Sequence, residues 1–135
     1  MKTIDVAAGL IFRDGKLLVA QRFTQAHLGG LWEFPGGKRE AEETFEACLV
    51  RELREELGIE VAVGEAVEDL THEYLEKTVR LRFFRCSLKS NSPKPIAIGC
   101  AALAWISLED LNLYEFPAAD ARLLQKLAAS QEWWQ

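Results

Sequence analysis

Cysteine is scarce in this chain: Cys48, Cys86 and Cys100 are odd in number and far apart. That argues against a disulfide framework or a spaced zinc site and suits a reducing cytoplasm, where the protein is expected. No apolar run approaches the ~20 residues that span a bilayer, and the N-terminus lacks an export-signal pattern, so no membrane partner is expected. Basic charge is short as well. With 16 Lys and Arg against 21 Asp and Glu, the net charge is -5, which argues against stable binding to nucleic acid backbones. An acidic chain can still take a small anion when a metal ion and a few placed cations mediate. Repeats and low-complexity segments are missing too. The 135 residues are expected to form one domain, residues 1–135, with a core that needs no crosslinks. Monomer and homodimer are both open.

What is present is concentrated between Gly36 and Ile59. A glycine pair follows Phe34-Pro35, which reads as a turn. A helix follows and stops at Gly58. Glu52, Glu55 and Glu56 are spaced i, i+3, i+4, which predicts three carboxylates on one helix face. Leu49, Leu53 and Leu57 form the buried side. Clustered like charges repel, and a hard divalent cation such as Mg2+ would offset them. Taken alone, such a run is an ordinary solvated helix face. The wider spacing separates the two readings: Gly37, Glu43, Arg51-Glu52-Leu53, Glu55-Glu56, Gly58-Ile59.

Elsewhere, Thr3 to Phe12 reads as a strand, Asp14-Gly15 as a hairpin turn and Leu17 to Arg22 as the returning strand. Leu31 to Phe34 is a short strand entering the glycine turn, with Trp32 and Phe34 as core or pocket wall. Glu60 to Val67 and Asp69 to Glu76 suggest two short strands around turn-like Gly64. Thr78 to Leu88 alternates clearly, with Arg80 and Arg82 as a wet face and Phe84 off pattern. Lys89 to Pro95 is a loop, and Ala101 to Ile106 a strand. Ser107 starts a short helix with capping-box spacing. Pro117 to Ala129 predicts a final amphipathic helix with Leu123, Leu124 and Leu127 on one side. Trp133 and Trp134 either pack the C-terminus onto the domain or, if exposed, mark a dimer contact.

The spacing from Gly37 to Ile59 resembles the Nudix signature without departure, and the order of elements resembles MutT-like members of that family. The resemblance implies an α-β-α sandwich with a mixed sheet. It also implies Mg2+-dependent hydrolysis (Mn2+ as the alternative ion) of a nucleoside triphosphate to monophosphate and pyrophosphate. It implies metal ligands at Gly36 (through its carbonyl), Glu52, Glu55 and Glu56. Glu52 or Glu55 would assist catalysis, with Arg51 and its expected partner Glu43 orienting a signature glutamate. Substrate contacts are implied for Arg22, His27, Glu33, Phe34, Pro35, Gly36, Lys38 and Asp120. Arg22 suits phosphate through its fork of donors.

One stretch departs from the pattern. MutT-like enzymes commonly carry another glutamate shortly before the strand holding Trp105, yet Ile96 to Trp105 contains no acid. Its work would fall to Glu52 or Glu55, or activity would be reduced. Asp120 stands where MutT has asparagine. A protonated Asp120 can donate to an oxidised purine, whereas an ionised one only accepts and suits amine-bearing edges such as cytosine. Asp120 is equally placed to be the N-cap of the last helix. Clearance of oxidised dNTPs such as 8-oxo-dGTP is the first expectation, CTP or 5-methyl-dCTP pyrophosphohydrolysis the second. A non-catalytic Nudix-fold recognition module is the alternative of another class.

Overall fold

β1 (Lys2–Arg13) is the strand on which the rest of the chain is assembled in the computed structural model, which describes residues 2–135. Its apolar run is covered on both faces, as a central strand requires. Ala7 and Ile11 enter one core while Ala8 and Leu10 enter another. β6 (Lys77–Leu88) lies parallel along β1, in register from Lys2↔Lys77 to Ile11↔Cys86. β4 (Gly36–Lys38) pairs antiparallel with β1, and β5 (Val61–Glu73) pairs antiparallel with β6. Asp14 and Gly15, with φ of 52° and 78°, make the tight turn that returns β2 (Lys16–Gln21). Positive φ at both central residues matches the twist of the two strands. β2 then pairs with β3 (Trp32–Glu33) and β7 (Ala102–Ile106).

Two helices cover these strands. α1 (Phe45–Leu57) starts where the Thr44 hydroxyl accepts from Ala47 N at 3.0 Å and ends at Gly58, φ 67°. It buries Leu49, Leu53 and Leu57 against Ala7, Ile11, Leu18 and Phe84. α2 (Ala121–Ala129) buries Leu123 and Leu127 beside Leu10, Val19 and Phe83, with Leu124 packed at the margin. The result is the expected α-β-α arrangement around a mixed sheet. Trp134 closes the second core: it is buried, meets the Phe12 ring edge-on and donates from Nε1 to the Leu127 carbonyl. Packing of the C-terminus, rather than an exposed tryptophan pair, is what the structure shows. Among the described residues no helix is long and apolar enough to cross a membrane.

Several local expectations change. Gly36 and Gly37 do not form a turn; they are strand residues opposite Ala8 and Ala7. A Cβ at Gly36 would overlap the Ala7 carbonyl, so backbone proximity explains that glycine. The two strands expected around Gly64 are one strand, β5, which absorbs the irregularity as register shifts between Val63 and Glu68. Arg80 and Arg82 are not a bare wet face. Their guanidinium carbons lie 5.8 and 4.3 Å from the centre of the Phe45 ring, and both pair with Asp69. Phe84 breaks the alternation because β6 is covered on both sides. Ser107 makes no side-chain cap, and Leu108–Leu113 is a 3₁₀ helix. The last helix begins at Ala121, after a 3₁₀ turn at Ala118–Asp120.

Candidate active site

A cavity of about 450 Å³ opens on the α2 side of the β1–β6 pair. Its floor follows from strand periodicity: Ile4, Val6 and Ala8 on β1 lie opposite Val79, Leu81 and Phe83 on β6, all on one face. Arg22, His27, Glu33, Phe34, Gly36, Lys38, Glu52, Glu56 and Asp120 line it as well. Pro35 is buried and does not reach the cavity; its carbonyl accepts from Gly9 N at 2.8 Å.

α1 delivers two carboxylates to this space, not three. At about 100° per residue, Glu56 projects about 40° from Glu52, whereas Glu55 lies beside Arg51, its i−4 neighbour. Glu55 accordingly leaves the cavity and accepts from Arg51 Nη1 at 2.9 Å. Arg51 gathers four further oxygens: both of Glu43 at 2.6 and 3.0 Å, Glu52 at 3.1 Å and the Lys38 carbonyl at 3.1 Å. The expected Arg51–Glu43 pair is thus a two-pronged ion pair, and its hydrogen bonds hold the Glu43 carboxyl down to about 2. Glu43 and Arg51 lie outside the cavity and act on it through Glu52 and the β4 backbone.

Burial raises the pKa of Glu52, with Arg51 opposing. Glu56 is raised too, first by burial and then by the charges of Glu52, Glu33 and Glu55. No hydrogen bond or salt bridge reaches the Glu56 carboxylate among the described residues. Two hard oxygen donors that face one cavity, one of them without a cation, fit a divalent metal such as those Nudix enzymes use. The four-ligand set expected from the sequence is not assembled. Glu55 is turned away, and among the described residues no three His, Cys, Asp or Glu side chains are grouped closely enough to hold an ion.

Glu33 lines the same cavity, and its charge raises the pKa of both Glu56 and Asp120. Asp120 is 6% exposed and makes no capping hydrogen bond, so the N-cap reading fails. Burial, then Glu33, pushes its carboxyl up to about 6. Arg22 is committed within the protein: Nη1 donates to Glu33 at 2.7 Å and Nε to the His27 carbonyl at 2.6 Å. The His27 ring meets Tyr74 edge-on at 5.0 Å, and desolvation with the charges of Lys77 and Arg22 lowers its pKa. Phe34 is buried in a stack on Phe116. Lys38 is exposed at the cavity margin.

Sequence reasoning missed Tyr74, Lys77 and Gly99. Tyr74 follows the end of β5, inside the stretch Asp69 to Glu76 that read as a short strand, and Lys77 opens β6. Nothing short of the parallel register shows that this part of the chain returns beside the start of β1.

Two carboxylates on a helix that follows a glycine strand, one of them held by an arginine hub, inside this sandwich define a hydrolase of the Nudix type. The chain belongs to that family: the NUDIX domain model matches residues 7–126. It is similar to the CTP pyrophosphohydrolase of Escherichia coli (strain K12), 42% identical over 134 residues that cover 96% of this chain and 94% of that protein. It is also similar to the 8-oxo-dGTP diphosphatase of the same organism, 34% identical over 130 residues that cover 94% and 98%. The solution structure of the E. coli ORF135 protein superposes with a TM-score of 0.81 at 42% identity, covering 97% of this chain and 92% of that one. The non-catalytic reading therefore gives way to a hydrolase.

Proposed function

We propose that the protein is a Mg2+-dependent pyrophosphohydrolase of nucleoside triphosphates, with Mn2+ able to substitute. It would release a nucleoside monophosphate and pyrophosphate and act first on oxidised purine nucleotides such as 8-oxo-dGTP. One observation carries this reading: a single cavity joins Glu52, tied to Arg51, and Glu56, without an ion-pair partner among the described residues, to the buried acid Asp120. A bound divalent ion supplies charge neutralisation at the phosphates and a more acidic bound water. The chain's own residues do the placing. Arg51 fixes Glu52, Lys38 offers an ammonium to phosphate oxygens, and the apolar floor takes the base. Between Glu52 and Glu55, Glu52 is favoured for proton handling because Glu55 is outside the cavity.

A second reading, cytosine nucleotides such as CTP or 5-methyl-dCTP, is supported by the same Asp120. Above about pH 6 its carboxyl is ionised and accepts from an exocyclic amine. Turnover of 8-oxo-dGTP, 5-methyl-dCTP, the ordinary NTPs and dNTPs, and ADP-ribose, followed by chromatography between pH 5.5 and 8, separates the two. The ratio of kcat/KM for 8-oxo-dGTP over CTP is expected to rise as pH falls through 6. Cytosine preference at every pH would promote the second reading, and preferred cleavage of ADP-ribose would overturn both.

Arg51→Lys keeps the charge and loses the fork. We expect kcat/KM to fall about 10- to 100-fold with the circular dichroism spectrum unchanged. An undiminished kcat/KM would show that the guanidinium geometry is dispensable.

A further inference from the structure

Each of the two cavity carboxylates rests against a glycine from another part of the chain. At Gly37, on β4, the three atoms nearest a built Cβ all belong to Glu52. At Gly99, in the loop before β7, all three belong to Glu56, and the Cβ would overlap Oε2. Neither glycine has the left-handed backbone seen at Gly15, Gly30 and Gly58. Left-handed backbone therefore does not call for glycine at either position, and the nearest atoms a side chain would meet are those of the carboxylates.

The position of Gly99 is fixed independently of that contact. Ile96 N donates to the Leu57 carbonyl at 2.9 Å, and Ile98 N and Gly99 N both donate to the Glu56 carbonyl, at 3.2 and 3.0 Å. These bonds satisfy carbonyls that the end of α1 would otherwise leave open. They hold the loop on the same helical turn that sends Glu56 into the cavity. The loop cannot withdraw from a larger residue at 99 without losing them. The side chain of Glu56 has no hydrogen bond of its own to resist displacement among the described residues.

We propose that Gly99 is a positioning residue for the Glu56 carboxylate and so sets the affinity of the site for a divalent cation. The inference rests on the reading of Glu52 and Glu56 as cation ligands. The acid-free loop before β7 thus holds a residue that works by having no side chain. Any substituent there turns Glu56 out of the cavity while the fold stays intact.

Mn2+ binding, read from the free-ion electron paramagnetic resonance signal, tests this on the full chain and on Gly99→Ala, Glu56→Gln and the double variant. Gly99→Ala should keep the circular dichroism spectrum and raise the Mn2+ Kd about tenfold or more. Glu56→Gln should weaken Mn2+ to a similar degree, and the double variant should be no weaker than Glu56→Gln alone. Unchanged Mn2+ affinity in Gly99→Ala, with Glu56→Gln impaired, overturns the role of Gly99 and leaves the ligand reading standing. Equal further weakening by Gly99→Ala in the Glu56→Gln background also overturns it, since the effect would not pass through the carboxylate. Loss of the folded spectrum in Gly99→Ala does the same, because glycine would then be a backbone requirement. Wild-type affinity in Glu56→Gln overturns the ligand reading itself.

Discussion

Glu56→Gln is expected to cut kcat by at least about a thousandfold, a loss of roughly 4 kcal/mol of transition-state stabilisation. The amide keeps the size and a carbonyl oxygen but removes the negative charge. In the wild type that charge lies beside those of Glu52, Glu33 and Glu55, each of which makes ionisation of Glu56 harder. Because no partner among the described residues holds the Glu56 carboxylate, its replacement breaks no such contact in the fold. A small rise in Tm should accompany the lost turnover, since a like-charge repulsion disappears. Parallel measurement of kcat with saturating Mg2+ and of thermal unfolding checks both halves. Wild-type kcat in this variant would sink the metal assignment.

Asp120→Asn is expected to stabilise the protein above pH 6 while changing which base it prefers. Burial raises the folded carboxyl from 3.8 to about 6, so between these values the folded state holds a proton that the unfolded chain has released. Wild-type stability therefore falls as pH rises through this window, and the cost is complete above 6. It amounts to about 2 to 3 kcal/mol at neutral pH. Asparagine carries no such cost, so the gain in Tm should be full at pH 8 and vanish near pH 4. The amide both donates and accepts at every pH. Relative turnover of 8-oxo-dGTP over CTP should rise at pH 8 and lose its dependence on pH. An equal Tm difference at pH 4 and pH 8 would show that Asp120 is not the titrating group. A gain confined to high pH would mean that the wild type carries a less stable site in exchange for its choice of substrate.

Much of this was readable from residue order because local rules and tertiary structure agree. The Leu49, Leu53, Leu57 stripe and Gly58 delimit α1 by periodicity and capping, and Asp14-Gly15 dictates its own turn. The Arg51–Glu43 pair followed from the family pattern, and its geometry is plain once β4 and α1 are adjacent. What spacing could not show is competition. Glu55 shares a helix face with Glu52 by count, yet Arg51 one turn earlier claims it. Arg22 has the right chemistry for phosphate, but Glu33 and the His27 carbonyl occupy its fork. Asp120 has the composition of an N-cap and lacks the backbone for it: its φ of -90° and ψ of 2° lie outside the extended region a cap uses. Gly36 looked like a turn because glycine signals backbone freedom, and here it signals proximity.

The parallel seam between β1 and β6 also governs when the protein can begin to work. Lys2 pairs with Lys77 and Ile11 with Cys86, so the cavity floor joins segments separated by most of the intervening chain. Closing so large a loop is entropically slow, and pairings of this kind set folding rates. During synthesis, β1 emerges first and must wait, apolar on both faces, until residues 77–88 have left the ribosome. α1 can form meanwhile, because its caps and periodicity are local, but its carboxylates have no floor to face. Assembly is thus ordered by the chain itself, with the helix before the groove, and a nascent chain that stops short of Leu88 carries the whole acidic signature without a place to bind a base.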